Sequence, residues 1–290
     1  MTKCIIRLTL TKAVAIVFVT ALCSVGLIRA QDLKGPDTLL VPSGNLTLKA
    51  LFWRPNGKGP FPTIIFCHGS YRITDTIITP EQQISSIGSL FASKGYIYFA
   101  LFRRGVGLSK SQGKNCADLM YDAFIEKGPE ERNIIQLQQL ETDQLQDMIA
   151  GLGILRKRKD VDTSRIVIMG HSFGGSLAFL LAEHEPGIKA VITFGASGYS
   201  WDRSPILRAR LISAIRNVNV PVMIIHAQND YSTTPGYSMD SLMNKLNKPH
   251  LLVIYPPFGN SPFQGHNMIS LGIDVWEKDV FKFLEDTLGN

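Results

Sequence analysis

The chain has 290 residues, with 30 Lys and Arg against 24 Asp and Glu, a formal charge of +6, and 45% hydrophobic residues. That length holds one large domain or two small ones, and the sequence carries no internal repeat and no low-complexity tract. Four basic residues, Lys3, Arg7, Lys12 and Arg29, fall in the first thirty positions with no acidic residue beside them, and without them the charge is +2. That is too little to point to nucleic acid or a membrane surface as partner.

Residues 1–30 read as an export signal. A basic start is followed by an uncharged apolar run, Ala13 to Ile28, and Ala30-Gln31 offers a cleavage point. The run is short for a membrane span, which needs about 20 apolar residues, so no stable span is expected after processing. An uncleaved anchor is the alternative, and a lipoprotein reading at Cys23 is weaker because Leu22 precedes it. The expected location is periplasmic or secreted. Cys4 and Cys23 leave with this segment. Cys67 and Cys116 remain, too few for a disulfide framework. Cys67 ends an apolar run and reads as a buried, inert thiol. Export makes a Cys67–Cys116 bridge chemically feasible, but spacing does not show proximity.

From Gln31 onward apolar strands alternate with helical patterns. Leu46–Trp53 alternates with period two, as a half-exposed strand does. Thr63–Cys67 is continuously apolar and reads as a strand buried on both faces. Pro80–Ala92 reads as a helix with Pro in its first turn and Gly95 beyond its end. Tyr96–Phe102 is a second buried strand. Glu141–Arg158 has helical spacing through Leu145, Met148, Ile149, Leu152 and Leu155, with Arg156 to Lys159 at its solvated end. The strand Ile166–Met169 and a small-residue helix follow. Further strands are expected at Ile188–Phe194, Val220–Ile225 and Leu251–Tyr255, with helices at Tyr237–Leu246 and Val275–Leu288. In the last helix Val275, Val280, Phe281, Phe283 and Leu284 take core-facing offsets. This alternation predicts an α/β domain over residues 31–290, a mostly parallel sheet with helices on both faces. Two segments exceed ordinary connections, Ser109 to about Arg132 and Tyr199–Asn217. The second has an amphipathic stripe of Ile206, Leu207, Leu211, Ile212 and Ile215. Each reads either as a lid or as surface structure packed on the core.

The sharpest signal is Gly170-His-Ser-Phe-Gly174 between the Ile166 strand and the helix after it. G-x-S-x-G in that setting makes a tight strand-to-helix turn that exposes a serine hydroxyl at the sheet edge. A Cβ at Gly170 or Gly174 would collide with neighbouring backbone, and a helix N-terminus favours developing negative charge. Serine needs a base, and the base needs an orienting group. In this arrangement they follow as serine, acid, histidine. Asp230 follows the Val220 strand and His266 follows the Leu251 strand, so Ser172, Asp230 and His266 fall at one sheet edge. The oxyanion donors expected are the N–H of Phe173 and a group in the loop Gly69-Ser70-Tyr71, with the Ser70 N–H preferred. His68, His171 and His226 read as structural, and His184 and His250 as solvated. Asp202 and Asp240 are rival acids that follow no clear strand. Arg103-Arg104-Gly105 follows a strand end and either approaches substrate or makes an ordinary ion pair. No zinc-type spacing occurs, and neither cofactor nor metal is expected.

Cys67-His-Gly-Ser-Tyr71, Arg103-Arg-Gly-Val-Gly107, the Asp160–Gly175 stretch, Asn229-Asp230 and Gly265-His266 together resemble the α/β-hydrolase superfamily, in its dienelactone-hydrolase-like and prolyl-oligopeptidase-like branch. The resemblance implies an eight-stranded, mostly parallel sheet and cofactor-free hydrolysis of an ester, amide or related acyl bond. Dienelactone hydrolases proper use a cysteine nucleophile where Ser172 stands here. Some peptidases of the branch place an oxyanion-donating tyrosine where Tyr71 stands. The expected function is therefore an exported serine esterase acting on a small acyl substrate. A small serine peptidase acting on short peptides is the runner-up. An acyltransferase or a non-catalytic binding module of the same fold is more remote.

Overall fold

The computed structural model describes residues 35–71 and 79–289; the export segment expected at 1–30 lies outside them. In chain order the elements are β1 (Asp37–Ser43), β2 (Leu46–Trp53), β3 (Phe61–Cys67), α1 (Pro80–Ser93), β4 (Ile97–Phe102), α2 (Cys116–Lys127), α3 (Pro129–Glu141), α4 (Asp143–Leu155), β5 (Val161–His171), α5 (Phe173–His184), β6 (Ile188–Phe194), α6 (Pro205–Asn217), β7 (Val222–Ala227), α7 (Thr234–Lys245), β8 (His250–Tyr255), α8 (Pro262–His266), α9 (Met268–Leu271) and α10 (Ile273–Leu288). The strands form one eight-stranded sheet in the order β1-β2-β4-β3-β5-β6-β7-β8. β2 runs antiparallel to both β1 and β4, and every pairing from β4 onward is parallel.

Period-two alternation divides the interior between the two sheet faces. Ile65 and Cys67 of β3, with Ile166 and Ile168 of β5, face a core shared with α4, α5 and α6. Their alternates Ile64, Phe66, Val167 and Met169 face a core shared with α1 and α10. Helices on both faces leave the central strands no wet side, which is why they read as unbroken apolar runs. β2 alternates only through its first half; its last four residues are all buried. β1 escapes the sequence pattern. It is an edge strand, where Pro42 needs no ladder partner and Leu40 is exposed.

The expected helix Glu141–Arg158 is α4, and it begins at Asp143 because Thr142, with φ −119° and ψ −97°, breaks it from α3. The long connection after Ser109 contains α2, capped by the Asn115 side chain on the N–H groups of Ala117 and Asp118, and then α3, opened by Pro129. The Tyr199–Asn217 segment contains α6, whose Leu207, Leu211 and Ile215 are buried on the core while Ile206 points outward. That helix is packed structure. In α10 the expected core residue Val275 is 37% exposed, and Trp276 takes the buried place beside it.

β3 and β5 are in register at Cys67 and Gly170, β5 and β6 at His171 and Phe194, and β7 and β8 at Ala227 and Tyr255. The loops after β3, β5, β6, β7 and β8 therefore leave the sheet on one edge.

Candidate active site

Ser172 joins β5 to α5 with φ 56° and ψ −118°, a backbone conformation that a side chain rarely adopts. Two glycines permit it. A Cβ on Gly170 would strike the Gly174 carbonyl, and one on Gly174 would strike the carbonyls of Cys67 and His68. The Ser172 N–H is tied to Phe194 O at 2.8 Å, so the turn is held across the sheet.

The Ser172 Oγ lies 2.8 Å from His266 Nε2, and His266 Nδ1 lies 2.6 Å from Asp230 Oδ1. The order serine, imidazole, carboxylate runs across three loops that are remote in sequence. His266 ends α8, which Ser261 caps through its hydroxyl on the Gln264 N–H. Asn229 ties the acid's loop to this helix, donating to Phe258 O and Ser261 O and accepting from the Phe258 N–H.

His226 was expected to be structural and is placed on the acid itself, with Nδ1 2.9 Å from Asp230 Oδ2. Asp230 Oδ1 also accepts the Tyr231 N–H at 2.6 Å. Burial alone raises the Asp230 carboxyl, but the hydrogen bonds from His226 and His266 and the attraction of both rings outweigh it. The group is held well below the usual carboxylate range. His171 Nε2 donates to the His266 carbonyl at 2.9 Å. Burial, aided by the neighbouring His266, lowers the His171 pKa to about 3. His68 is buried too, with Nδ1 2.6 Å from Gly69 O and Nε2 accepting the Arg103 N–H at 3.2 Å.

The rival acids are occupied elsewhere. Asp202 accepts from the Ser232 hydroxyl, and Asp240 lies 3.1 Å from His250 Nε2. His250, expected to be solvated, is half-buried between Asp240 and the Lys248 carbonyl. It starts β8 directly under α7, which supplies the acid. Arg104 makes the ion pair expected at this strand end, reaching Asp143 and Asp147. Arg103 is buried instead and donates to Gln144 Oε1, His68 O and Gly69 O.

Ser172 and His266 open into a cavity of about 580 Å³ whose wall includes Gly69, Ser70 and Phe173. Phe173 opens α5, so its N–H belongs to the first helical turn and has no intrahelical acceptor. Among the described residues the Tyr71 hydroxyl is buried without a hydrogen-bond partner, and Arg103 and Glu81 are charges that act on it. The side chains of Ser176, Ser197, Ser200 and Gln136 make the inner wall polar. A second cavity of about 510 Å³ shares Ser70, Arg132 and Tyr199 with the first and runs between α2 and the loop before α6. Among the described residues no cluster of His, Cys, Asp and Glu suits a metal ion. Cys67 and Cys116 are both buried and unbridged, and burial pushes each thiol up to about 12.

The eight-stranded sheet, with a serine at the β5–α5 turn, defines an α/β hydrolase. The dienelactone hydrolase family model matches residues 48–268, and the chain belongs to that family of hydrolases. It is 29% identical over 130 residues to esterase EstD of Thermotoga maritima, covering 44% of this chain and 26% of that protein. The match thus spans about a quarter of EstD. It is 23% identical over 250 residues to a putative carboxymethylenebutenolidase of Escherichia coli K12, covering 82% of each chain. Among solved structures, Pyrococcus horikoshii acylaminoacyl peptidase superposes with a TM-score of 0.58 at 19% identity, over 85% of this chain and 42% of that one. At that identity the likeness is one of fold.

Proposed function

We propose that this protein is a serine hydrolase that cleaves a carboxylic ester through an acyl-enzyme, with Ser172 as nucleophile, His266 as base and Asp230 as the acid that orients it. The contact of 2.8 Å from Ser172 Oγ to His266 Nε2, continued at 2.6 Å to Asp230, carries this reading. His266 takes the hydroxyl proton as Oγ bonds to the acyl carbon, and Asp230 fixes the tautomer and stabilises the imidazolium. The carbonyl electrons move onto oxygen, facing the N–H groups of Phe173 and Ser70. Collapse expels the alcohol, which takes the proton from His266. Water, deprotonated by His266 in turn, then releases the acid. The Tyr71 hydroxyl, which lines the same cavity and among the described residues is buried without a hydrogen-bond partner, is the alternative second donor to the Ser70 N–H.

Ser172→Ala should lower turnover of a p-nitrophenyl acyl ester by at least about a thousandfold and leave the melting temperature unchanged. Near-full activity in that variant overturns the assignment. The peptidase reading keeps support from the acylaminoacyl peptidase fold, and ester and peptide-amide substrates offered side by side decide between them. Residues 1–30 are proposed as a cleaved export signal preceding a catalytic domain of 31–290. A mature chain starting at Gln31, by mass, is the expected result.

A further inference from the structure

Arg103 is the first residue after β4, and only 1% of its surface is exposed. A buried cation ordinarily has a carboxylate partner. Among the described residues Arg103 makes no hydrogen bond to one, because Arg104 next to it takes both Asp143 and Asp147. The Arg103 guanidinium spends its donors on neutral groups: Nε on Gln144 Oε1 at 2.8 Å, Nη2 on His68 O at 2.9 Å and on Gly69 O at 3.2 Å, with Nη2 also 3.2 Å from His68 Nδ1. Nη1 is buried and, among the described residues, has no hydrogen-bond partner. The guanidinium also lies 5.4 Å from the centroid of the Phe173 ring. One buried cation therefore touches both segments proposed to supply oxyanion donors.

Peptide geometry gives those contacts a direction. In a trans peptide the C=O and N–H point opposite ways in one rigid plane. Arg103 Nη2, beside the shorter bond from His68 Nδ1 at 2.6 Å, holds Gly69 O, so the Ser70 N–H of the same plane points away from both. The grip on His68 O turns the Gly69 N–H in the same way. Gly69 and Ser70 both line the Ser172 cavity. A positive charge at the carbonyl end also polarises the amide and strengthens its N–H as a donor.

We propose that Arg103 is a positioning residue for the oxyanion site, aiming and polarising the Ser70 N–H through the peptide planes of residues 68–70 without touching substrate. This rests on the reading of Ser172 as nucleophile. It explains why a cation that hydrogen-bonds no carboxylate is kept in the interior, a costly arrangement for packing alone.

The test uses Arg103→Met, Arg103→Lys and Gln144→Leu in the full chain, each with a melting temperature, kcat and KM on a p-nitrophenyl ester, and inhibition by a trifluoromethyl ketone. That ketone adds to the nucleophile and places an oxyanion in the same site. In Arg103→Met kcat should fall about tenfold to a hundredfold, part of what loss of a whole donor costs, with KM within about threefold. Affinity for the ketone should weaken in step with kcat/KM. Arg103→Lys should recover part of both. Gln144→Leu keeps the cation but frees Nε, so it should show a smaller loss of the same pattern, and it serves if Arg103→Met does not fold. Unchanged kcat and ketone affinity in Arg103→Met, or in Gln144→Leu where Arg103→Met does not fold, overturns the proposal, as does a loss confined to melting temperature. Survival of activity in Ser172→Ala would instead remove the nucleophile on which the proposal stands.

Discussion

Asp230 accepts three hydrogen bonds, two at Oδ1 from His266 Nδ1 and the Tyr231 N–H and one at Oδ2 from His226 Nδ1. A carboxylate so held stays ionised through the working range, so Asp230 should add no proton of its own to the acid limb of kcat/KM. A limb steeper than one proton would show the acid titrating as well. Asp230→Asn supplies a donor where an acceptor is needed at His266 and should lower kcat by about 10³- to 10⁴-fold. His226→Leu removes the donor to Oδ2 and leaves that buried oxygen unpaired, so the carboxyl should bind protons more readily. Its expected mark is a fall in kcat of about tenfold, set by the 1–3 kcal/mol cost of an unsatisfied buried group, with KM little changed. The serine turn and the order serine, acid, histidine are legible in the sequence, because glycine spacing and strand ends are local properties. The placement of His226 on Asp230 is not. The two are only four residues apart, but whether they meet depends on how the chain bends beyond Ala227.

At the scale of elements, the α2–α3 insertion borders the second cavity, where Met120, Tyr121 and Phe124 face Tyr199 and Arg203. The cavity shares Ser70, Arg132 and Tyr199 with the Ser172 pocket, so a bulky substrate arm leaving that pocket would meet these side chains first. Phe124→Ala should raise KM severalfold for an aryl ester and leave acetate ester turnover unchanged. Equal KM shifts for both substrates would show that the arm does not enter there. The segment holding α2 and the start of α3 read from sequence as a long connection, and its helices escaped notice for a physical reason. Their apolar faces are narrow, with Cys116, Ala117 and Met120 alone fully buried in α2, so the helical period is weak against the polar background. α6 shows the reverse case. Its stripe was visible, but only packing distinguished a lid from a helix on the core.

At the scale of the molecule, two cores hold the sheet, and the one under α10 also supports the base. Trp276 is fully buried, stands 5.1 Å from the Phe194 ring, and donates through Nε1 to the carbonyls of Met268 and Ile269 just after His266. Trp276→Ala should cost about 3–5 kcal/mol in denaturant unfolding and lower activity as the α9 turn loosens. A stability gradient with pH is also expected. His171 titrates near 3 when folded, and His68 well below its ordinary value, because burial disfavours both charged rings. In the unfolded chain each takes a proton below about pH 6.5. The unfolded state then binds more protons, so stability falls as pH drops from about 6.5 toward 3, by up to about 1.4 kcal/mol per pH unit from His171, with His68 acting in the same direction. Denaturant midpoints at a series of pH values measure the slope, and His171→Gln should reduce it by one proton.

What the sequence by itself determined is the alternation of strand and helix, the turn that lifts Ser172 from the sheet, and the strand ends from which Asp230 and His266 depart. Periodicity and glycine spacing encode which face of an element meets apolar neighbours, and that suffices to order a parallel sheet. Only the tertiary structure decided the partners of buried polar atoms: His226 on the acid, His171 on the base's carbonyl, Arg103 on the loop after β3 and Arg104 on the carboxylates. A buried donor must find an acceptor, but its local sequence says nothing of which distant residue will stand within reach. That choice belongs to the packing of the whole chain.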